Sequence, residues 1–330
     1  MKALVLRQTE TEPFKCQLEN IDERFFPEAQ RSESIKIKVH YSSLNYKDAL
    51  AICGVGKIIK QYPFIPGIDV VGSVASSSDA NFKVGDLVLA TGFGYGEVQF
   101  GAMSEFAFVQ PQHLLKLSGA LTEYKAIALG TAGLTAMLCV EALRQAGITP
   151  EKGPVIVTGA SGGVGSIAVY LLTKLGYQVS AVSGNSVCYQ SLLQLGVQKV
   201  YDRHHFSEPC RPLEKQQFAG VIDTVGGDIL ANLLTKVQYG GCVACCGLAQ
   251  SYQLNTTVMP FILRNVRLQG IDSVYFPLIE RQALWQELAR LIEDDYLKKF
   301  TREIALADVP SYAKKLLEHQ LYGRTIIRVS

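Results

Sequence analysis

Residues 155–186, VIVTGASGGVGSIAVYLLTKLGYQVSAVSGNS, constrain the fold of this chain more than any other stretch. An apolar run of buried-strand composition breaks into Gly159, Gly162, Gly163 and Gly165, continues with helical periodicity, and becomes an apolar strand again. Glycines at such a junction permit a tight turn, close backbone approach to a pyrophosphate and tight packing of helix on strand. The helix N-terminus adds free N–H groups and positive potential. The pattern predicts a dinucleotide-binding unit; a strand-to-helix turn that binds nothing is the plainer alternative. The second strand ends in Ser183, Gly184 and Asn185, where an NAD site usually carries Asp or Glu for the ribose 2′-hydroxyl. A carboxylate there would repel a 2′-phosphate, and small hydrogen-bonding groups would not, so the expected cofactor is NADP(H). Arg203, after the third strand in KVYDRHHF, is the candidate cation for that phosphate, with a solvated surface arginine as the alternative.

Around this unit the chain changes character twice. Up to about residue 120 it reads as short strands between glycine-rich turns: SIKIKVHYSS alternates with period two, and DVVGSVASS, GDLVLATG and SEFAFVQ follow. From TEYKAIALGTAGLTAMLCVEALRQAG onward, helical patterns alternate with the buried strands PVIVTG, QVSAVS, QKVYD, GVIDTV, GCVACCG and VRLQGI, which implies a doubly wound parallel sheet. Two amphipathic helices and a final strand, GRTIIRVS, suggest a return to the first domain. The expected fold class is α/β, with a β-rich domain at 1–122 and 274–330 and a Rossmann-type domain at 123–273.

With 330 residues and 48% hydrophobic content, the chain has ample material for two cores. Its 32 basic and 30 acidic side chains give a net charge of +2, which offers no electrostatic case for nucleic acid or an anionic membrane surface. The start, MKALVLRQTE, turns polar too early for a signal peptide, and no apolar run suggests a membrane span, so a cytoplasmic protein is expected. Its eight cysteines then read as reduced thiols. Cys242 and Cys245 have C-x-x-C spacing, but on a strand residues three apart face opposite ways, and no second pair completes four ligands. No metal site is expected.

The β-rich half, the split arrangement and GASGGVG resemble the medium-chain dehydrogenase/reductase superfamily. The segments SSLNYKDALAICGVGKIIK, PFIPGIDVVG, IALGTAGLTAMLCVEAL, YGGCVACCGLA and TTVMPFILRNVRLQGIDSV narrow the resemblance to its YhdH/YhfP quinone oxidoreductase family, over about the whole chain. That resemblance implies a GroES-like catalytic domain beside the Rossmann domain. It also implies a homodimer, and NADPH-dependent, zinc-independent reduction of an activated C=C bond in an enoyl-CoA such as acryloyl-CoA. Where zinc-dependent relatives carry a cysteine and a Gly-His-Glu motif, this chain reads NYKD and GID.

By the same resemblance, cofactor contacts fall on Tyr46, Thr131, Ser161, Gly162, Gly163, Val164, Ser183, Asn185, Arg203, Leu248, Ile262, Ser273 and His319. Relatives commonly carry arginine at the place of Asn185, and its absence should weaken NADPH preference by about 1–2 kcal/mol. They tend to carry asparagine at the place of His319.

Hydride transfer to a thioester needs reactants held in line, charge stabilised on the thioester oxygen, and a proton for the α-carbon. Tyr46 and Asn45 are the expected polar pair, with Asp48, Asp69 and Arg324 as an organising network. A turn and helix cap is the alternative for Asn45 and Asp48, and satisfied loop amides for Asp69. Lys47, Lys57 and Lys60 are the cations that composition offers to CoA phosphates. The competing functions are a quinone or small enone reductase and a non-catalytic NADPH-binding protein.

Overall fold

The alternating stretch SIKIKVHYSS forms a strand whose Ile35, Ile37 and Val39 are buried while Lys38 is exposed, and the first domain is built around it. In the computed structural model, which describes residues 1–208 and 210–330, the chain divides into two compact units. One is Met1–Thr131 with Val274–Ser330, and the other is Ala132–Ser273.

The first unit opens with an antiparallel pair, β1 (Lys2–Arg7) and β2 (Lys15–Asn20). After α1 (Glu28–Ser32) come β3 (Ile35–Ser43), α2 (Tyr46–Ile52), β4 (Asp69–Ser76), β5 (Leu87–Thr91), β6 (Phe106–Val109) and β7 (Leu115–Lys116). The helix α3 (Glu123–Gln145) spans the division. It is broken at Gly130, whose φ of 51° and ψ of −152° no helix contains. The units divide at this break, so residues 123–131, which the sequence pattern groups with the second domain, belong to the first unit. By length and composition α3 could cross a bilayer, yet 83% of its apolar window is buried, as befits a core helix.

The second unit alternates strand and helix: β8 (Val155–Val157), α4 (Gly163–Lys174), β9 (Val179–Ser183), α5 (Tyr189–Gln194), β10 (Lys199–Asp202), β11 (Phe218–Asp223), α6 (Gly227–Leu234), β12 (Val237–Cys245), α7 (Met259–Arg264) and β13 (Arg267–Gly270). All its pairings are parallel, in the order β10-β9-β8-β11-β12-β13. The order reverses between β8 and β11, and the crevice beyond the C-terminal ends of those two strands is where such sheets bind ligands. Buried Ile167, Val169, Leu171 and Leu172 fix α4, each contributing about 1.5–3 kcal/mol.

The chain then re-enters the first unit through α8 (Leu278–Leu291), α9 (Asp294–Phe300), β14 (Thr301–Ala305), α10 (Val309–Leu317) and β15 (Arg324–Arg328). β15 pairs in parallel with β14 and antiparallel with β3, Ile326 opposite Ser43. The closing strand does return to the first domain. Buried Arg281 secures the re-entry by donating to the carbonyls of Thr91, Val274 and Phe276.

Candidate active site

In the first unit the sequence LNYKD folds into a helix start. Asn45 is the N-cap of α2: its side chain accepts from the Asp48 N–H, and Asp48 Oδ2 accepts from the Asn45 N–H at 3.0 Å. This reciprocal arrangement satisfies two backbone donors that the helix leaves open. Asp48 Oδ1 also accepts from the Ile68 N–H at 3.1 Å, which joins α2 to the GID segment. Burial, with a smaller contribution from the Asp69 charge, pushes the Asp48 carboxyl up to about 7.

Asp69 is fully buried at the start of β4. It accepts from Ser43 Oγ at 2.6 Å, Asn45 Nδ2 at 2.9 Å, Thr131 Oγ1 at 2.5 Å and the Thr131 N–H at 3.1 Å. Arg324, buried on β15, donates to the Ala128 carbonyl at 2.9 Å, Asn45 Oδ1 at 3.1 Å and Ser43 Oγ at 3.0 Å, and its Nη2 lies 3.8 Å from Asp69. Burial lowers the Arg324 pKa, and the Asp69 and Asp48 charges oppose that. The break at Gly130 serves this cluster: it frees the Thr131 N–H, and a Cβ at Gly130 would lie 2.5 Å from Asp69 Oδ2.

Asp48, Asp69 and Arg324 are thus linked by hydrogen bonds through Asn45 and Ser43, and Ser43 is a member of this cluster that sequence reading missed. Asn45 takes a different part. Both its amide hydrogens are spent, one on Asp69 and one on Ser43 at 3.2 Å, so it positions its neighbours rather than donating outward. Tyr46, the first residue of α2, is half-buried, and its phenol makes no hydrogen bond to a described residue. Thr131 Oγ1 gives its proton to Asp69 and keeps only acceptor capacity. His319 is exposed after α10 with φ 58°, the left-handed backbone that ends helices and that asparagine tolerates well. Lys47 is paired with Glu97 at 2.8 Å, while Lys57 and Lys60 are exposed.

In the second unit the glycine-rich turn leaves β8 and enters α4. No side chain caps α4, and its first internal bond runs from the Ser166 N–H to the Gly162 carbonyl. The N–H groups of Gly163, Val164 and Gly165 are thus left for an anion. Gly165 is required by packing, since a Cβ there would lie 2.2 Å from the Gly159 carbonyl oxygen. At the end of β9, Ser183 Oγ donates to Ser161 Oγ at 3.0 Å and accepts from the Asn185 N–H at 3.1 Å. Asn185 turns its Oδ1 to cap the Val187 N–H.

Arg203 lies across Gly184: a Cβ on that glycine would meet the arginine Cδ at 2.8 Å and Nε at 3.1 Å. The guanidinium stem is therefore laid over the strand end where a 2′-phosphate would be read. Tyr189, not singled out from sequence, supports this corner by sharing its one phenol proton between the Ser183 carbonyl at 3.1 Å and Asp202 Oδ2 at 3.2 Å. Leu248 and Ile262 are exposed, and Ser273 is buried, accepting from Thr135 Oγ1 at 2.7 Å. An uncapped helix start, small residues in the turn and a cation over Gly184 fit the phosphates of NADP(H).

The three clustered cysteines have other tasks. Cys242 is buried, Cys245 Sγ donates to Asp223 Oδ2 at 3.8 Å, and Cys246 Sγ donates to the Asp223 carbonyl at 3.4 Å. Burial pushes the Cys245 thiol up to about 11.

Two family profiles match the chain: the alcohol dehydrogenase GroES-like domain over residues 31–119, and the zinc-binding dehydrogenase profile over residues 163–294. The probable acrylyl-CoA reductase AcuI of Escherichia coli is 49% identical over 330 residues, covering all of both chains. The yhdH oxidoreductase of Salmonella enterica, solved in complex with NADP, is 48% identical, has a TM-score of 0.95 and covers all of both chains. The putative quinone oxidoreductase YhfP of Bacillus subtilis is 44% identical over 299 residues, 90% of this chain and 91% of its own. Its structure with NAD bound has a TM-score of 0.92 and covers 99% of both chains. On this fold, this site and this similarity, the chain belongs to the YhdH/YhfP (AcuI) quinone oxidoreductase family of the medium-chain dehydrogenases/reductases.

Proposed function

We propose that this protein is an NADPH-dependent enoyl-thioester reductase that converts acryloyl-CoA to propionyl-CoA without zinc. The observation that carries the substrate is the 49% identity to the Escherichia coli acrylyl-CoA reductase along the whole of both chains. Bound NADPH supplies the hydride for the β-carbon of the alkene. The residues of the second unit hold the cofactor: the open N–H groups of α4 take the pyrophosphate, and Arg203 with Ser183 takes the 2′-phosphate. The Tyr46 phenol, the one polar group of LNYKD without a hydrogen bond to a described residue, donates to the thioester oxygen and stabilises the enolate formed on hydride transfer, whose α-carbon takes its proton from water. Asn45, Asp48, Asp69 and Arg324 keep the start of α2 in place while it does so. The residues at the positions of zinc ligands are consumed by this network, which supports the zinc-independent reading.

A second reading, reduction of a quinone or small enone, is favoured by the similarity to the Bacillus subtilis protein YhfP. Initial rates of NADPH oxidation with acryloyl-CoA and a simple benzoquinone in parallel separate the two. Saturation by acryloyl-CoA with weak quinone turnover is expected, and the reverse preference overturns the thioester reading. We place the enzyme in the cytoplasm as a homodimer. All eight cysteines are free thiols, β13 is an edge strand of its sheet, and Ile262 and Leu263 of α7 are exposed. Light scattering of the purified protein tests the dimer.

A further inference from the structure

Beyond the last residues of β8 and β11, a second segment grips the glycine-rich turn. Thr158 Oγ1 donates to Asp223 Oδ1 at 2.7 Å and accepts from the Thr224 N–H at 2.9 Å, while Thr224 Oγ1 donates to the Thr158 carbonyl at 2.9 Å. The proton on Thr158 is thus directed by the carboxylate, which leaves its lone pair for Thr224. Gly159, with φ of 57°, is the glycine that this contact needs: a Cβ there would lie 2.2 Å from Thr224 Oγ1. The first glycine of the motif accordingly makes room for a threonine from the neighbouring strand.

The same segment grips the loop after β12. The Gly226 N–H donates to Asp223 Oδ2 at 2.8 Å, the Cys246 N–H donates to the Asp223 carbonyl at 2.9 Å, and the Gln250 N–H donates to the Val225 carbonyl at 2.8 Å. A Cβ on Gly247 would lie 2.1 Å from the Thr224 carbonyl oxygen. Leu248 is carried by that loop. Residues 223–225 are therefore bonded on one side to the turn that faces the pyrophosphate, and on the other to the loop that carries Leu248.

We infer that Thr158, Asp223 and Thr224 form a clasp that sets the glycine-rich turn against the Leu248 loop, so that they are positioning residues for the pyrophosphate and for the cofactor contact expected of Leu248. This rests on the dinucleotide reading of the second unit. The clasp grips the turn from its β11 side, whereas Ser183 and Arg203 stand on the β9 side, where the Ala160 N–H meets the Val182 carbonyl and Ser161 meets Ser183, so its loss should be felt more by the pyrophosphate than by the 2′-phosphate.

The test is to titrate wild type, Thr224→Ala, Thr224→Ser and Thr158→Val with NADPH, and in parallel with adenosine 2′-monophosphate, which carries the 2′-phosphate but neither the pyrophosphate nor the nicotinamide. Wild type should bind both. Thr224→Ala, which removes one hydrogen bond, and Thr158→Val, which removes two, should lose about tenfold or more in NADPH affinity and keep adenosine 2′-monophosphate within about twofold. Thr224→Ser, which retains the hydroxyl, should restore NADPH binding. A merely structural role would lower the melting temperature and weaken both ligands together, and that result, or unchanged NADPH affinity in both variants, overturns the clasp. Failure of wild type itself to bind NADPH would instead overturn the cofactor reading, and the clasp with it.

Discussion

Tyr46 and Asn45 are neighbours in sequence with opposite bonding, the amide of Asn45 fully engaged and the phenol of Tyr46 bonded to no described residue, and substitution should separate them. Tyr46→Phe removes a hydroxyl that has no hydrogen bond to a described residue. It should lower kcat by about 10²–10⁴-fold with the melting temperature unchanged, read by steady-state kinetics beside thermal unfolding. Asn45→Ala uncaps α2 and deprives Asp69, Ser43 and Arg324 of partners, so it should cost about 2–4 kcal/mol of stability together with activity. Asp48 gives a pH signature. Its carboxyl is raised to about 7 from an ordinary 3.8, so the folded state holds a proton that the unfolded chain has already released. Its contribution to stability therefore diminishes as pH rises from about 4 to about 7, and denaturation midpoints across that window should flatten in Asp48→Asn. Arg203→Gln should raise KM for NADPH by about tenfold or more and leave that for NADH little changed, measured with either cofactor varied. Not every suggestive trio is catalytic. Ser73, His40 and Glu123 stand 3.1 and 2.5 Å apart like a hydrolytic triad, but β4 is paired on both sides, and its N–H groups are committed to the ladder. The trio ties β3 and β4 to the start of α3.

Among the elements, α3 shows where sequence reading reaches its limit. Helical periodicity correctly marks a helix over TEYKAIALGTAGLTAMLCVEAL, but periodicity does not register one residue in a left-handed conformation. The break depends on Asp69, 62 residues away from Thr131, and no local pattern contains that partner. Gly130→Ala forces a side chain into φ 51° against a carboxylate and should destabilise by about 2–4 kcal/mol in chemical denaturation. The β8–turn–α4–β9 unit was legible because glycine spacing, buried strands and helix length all follow from contiguous residues. Arg203 was legible as a cation, while its course over Gly184 follows from how β10 lies beside β9. Ser43, Thr158, Asp223 and Thr224 were not legible as site residues, since each acts through side chains supplied by distant strands. Asn185 was legible as a departure from relatives, yet its use as a cap on Val187 required the backbone.

At the scale of the whole molecule, the alternation of strands and helices and the returning last strand were readable from the chain. The partition of α3 was not. The cluster around Asp69 leaves the positions used by zinc ligands in related enzymes occupied with protein–protein hydrogen bonds. Dialysis against a strong chelator should therefore leave the rate with acryloyl-CoA unchanged, and loss restored by zinc would contradict the assignment. Arg324 stands 279 positions after Asn45, with the entire second unit between them. During synthesis the inserted unit can complete its own sheet while β3 still lacks β15 as a neighbour, and Asp69 waits without its cation. Synthesis thus supplies every strand of the second unit's sheet before it supplies the last strand of the first. A chain cut before β15 would lack the Arg324 contacts to Ser43, Asn45 and the Ala128 carbonyl, and the cluster around Asp69 could not close.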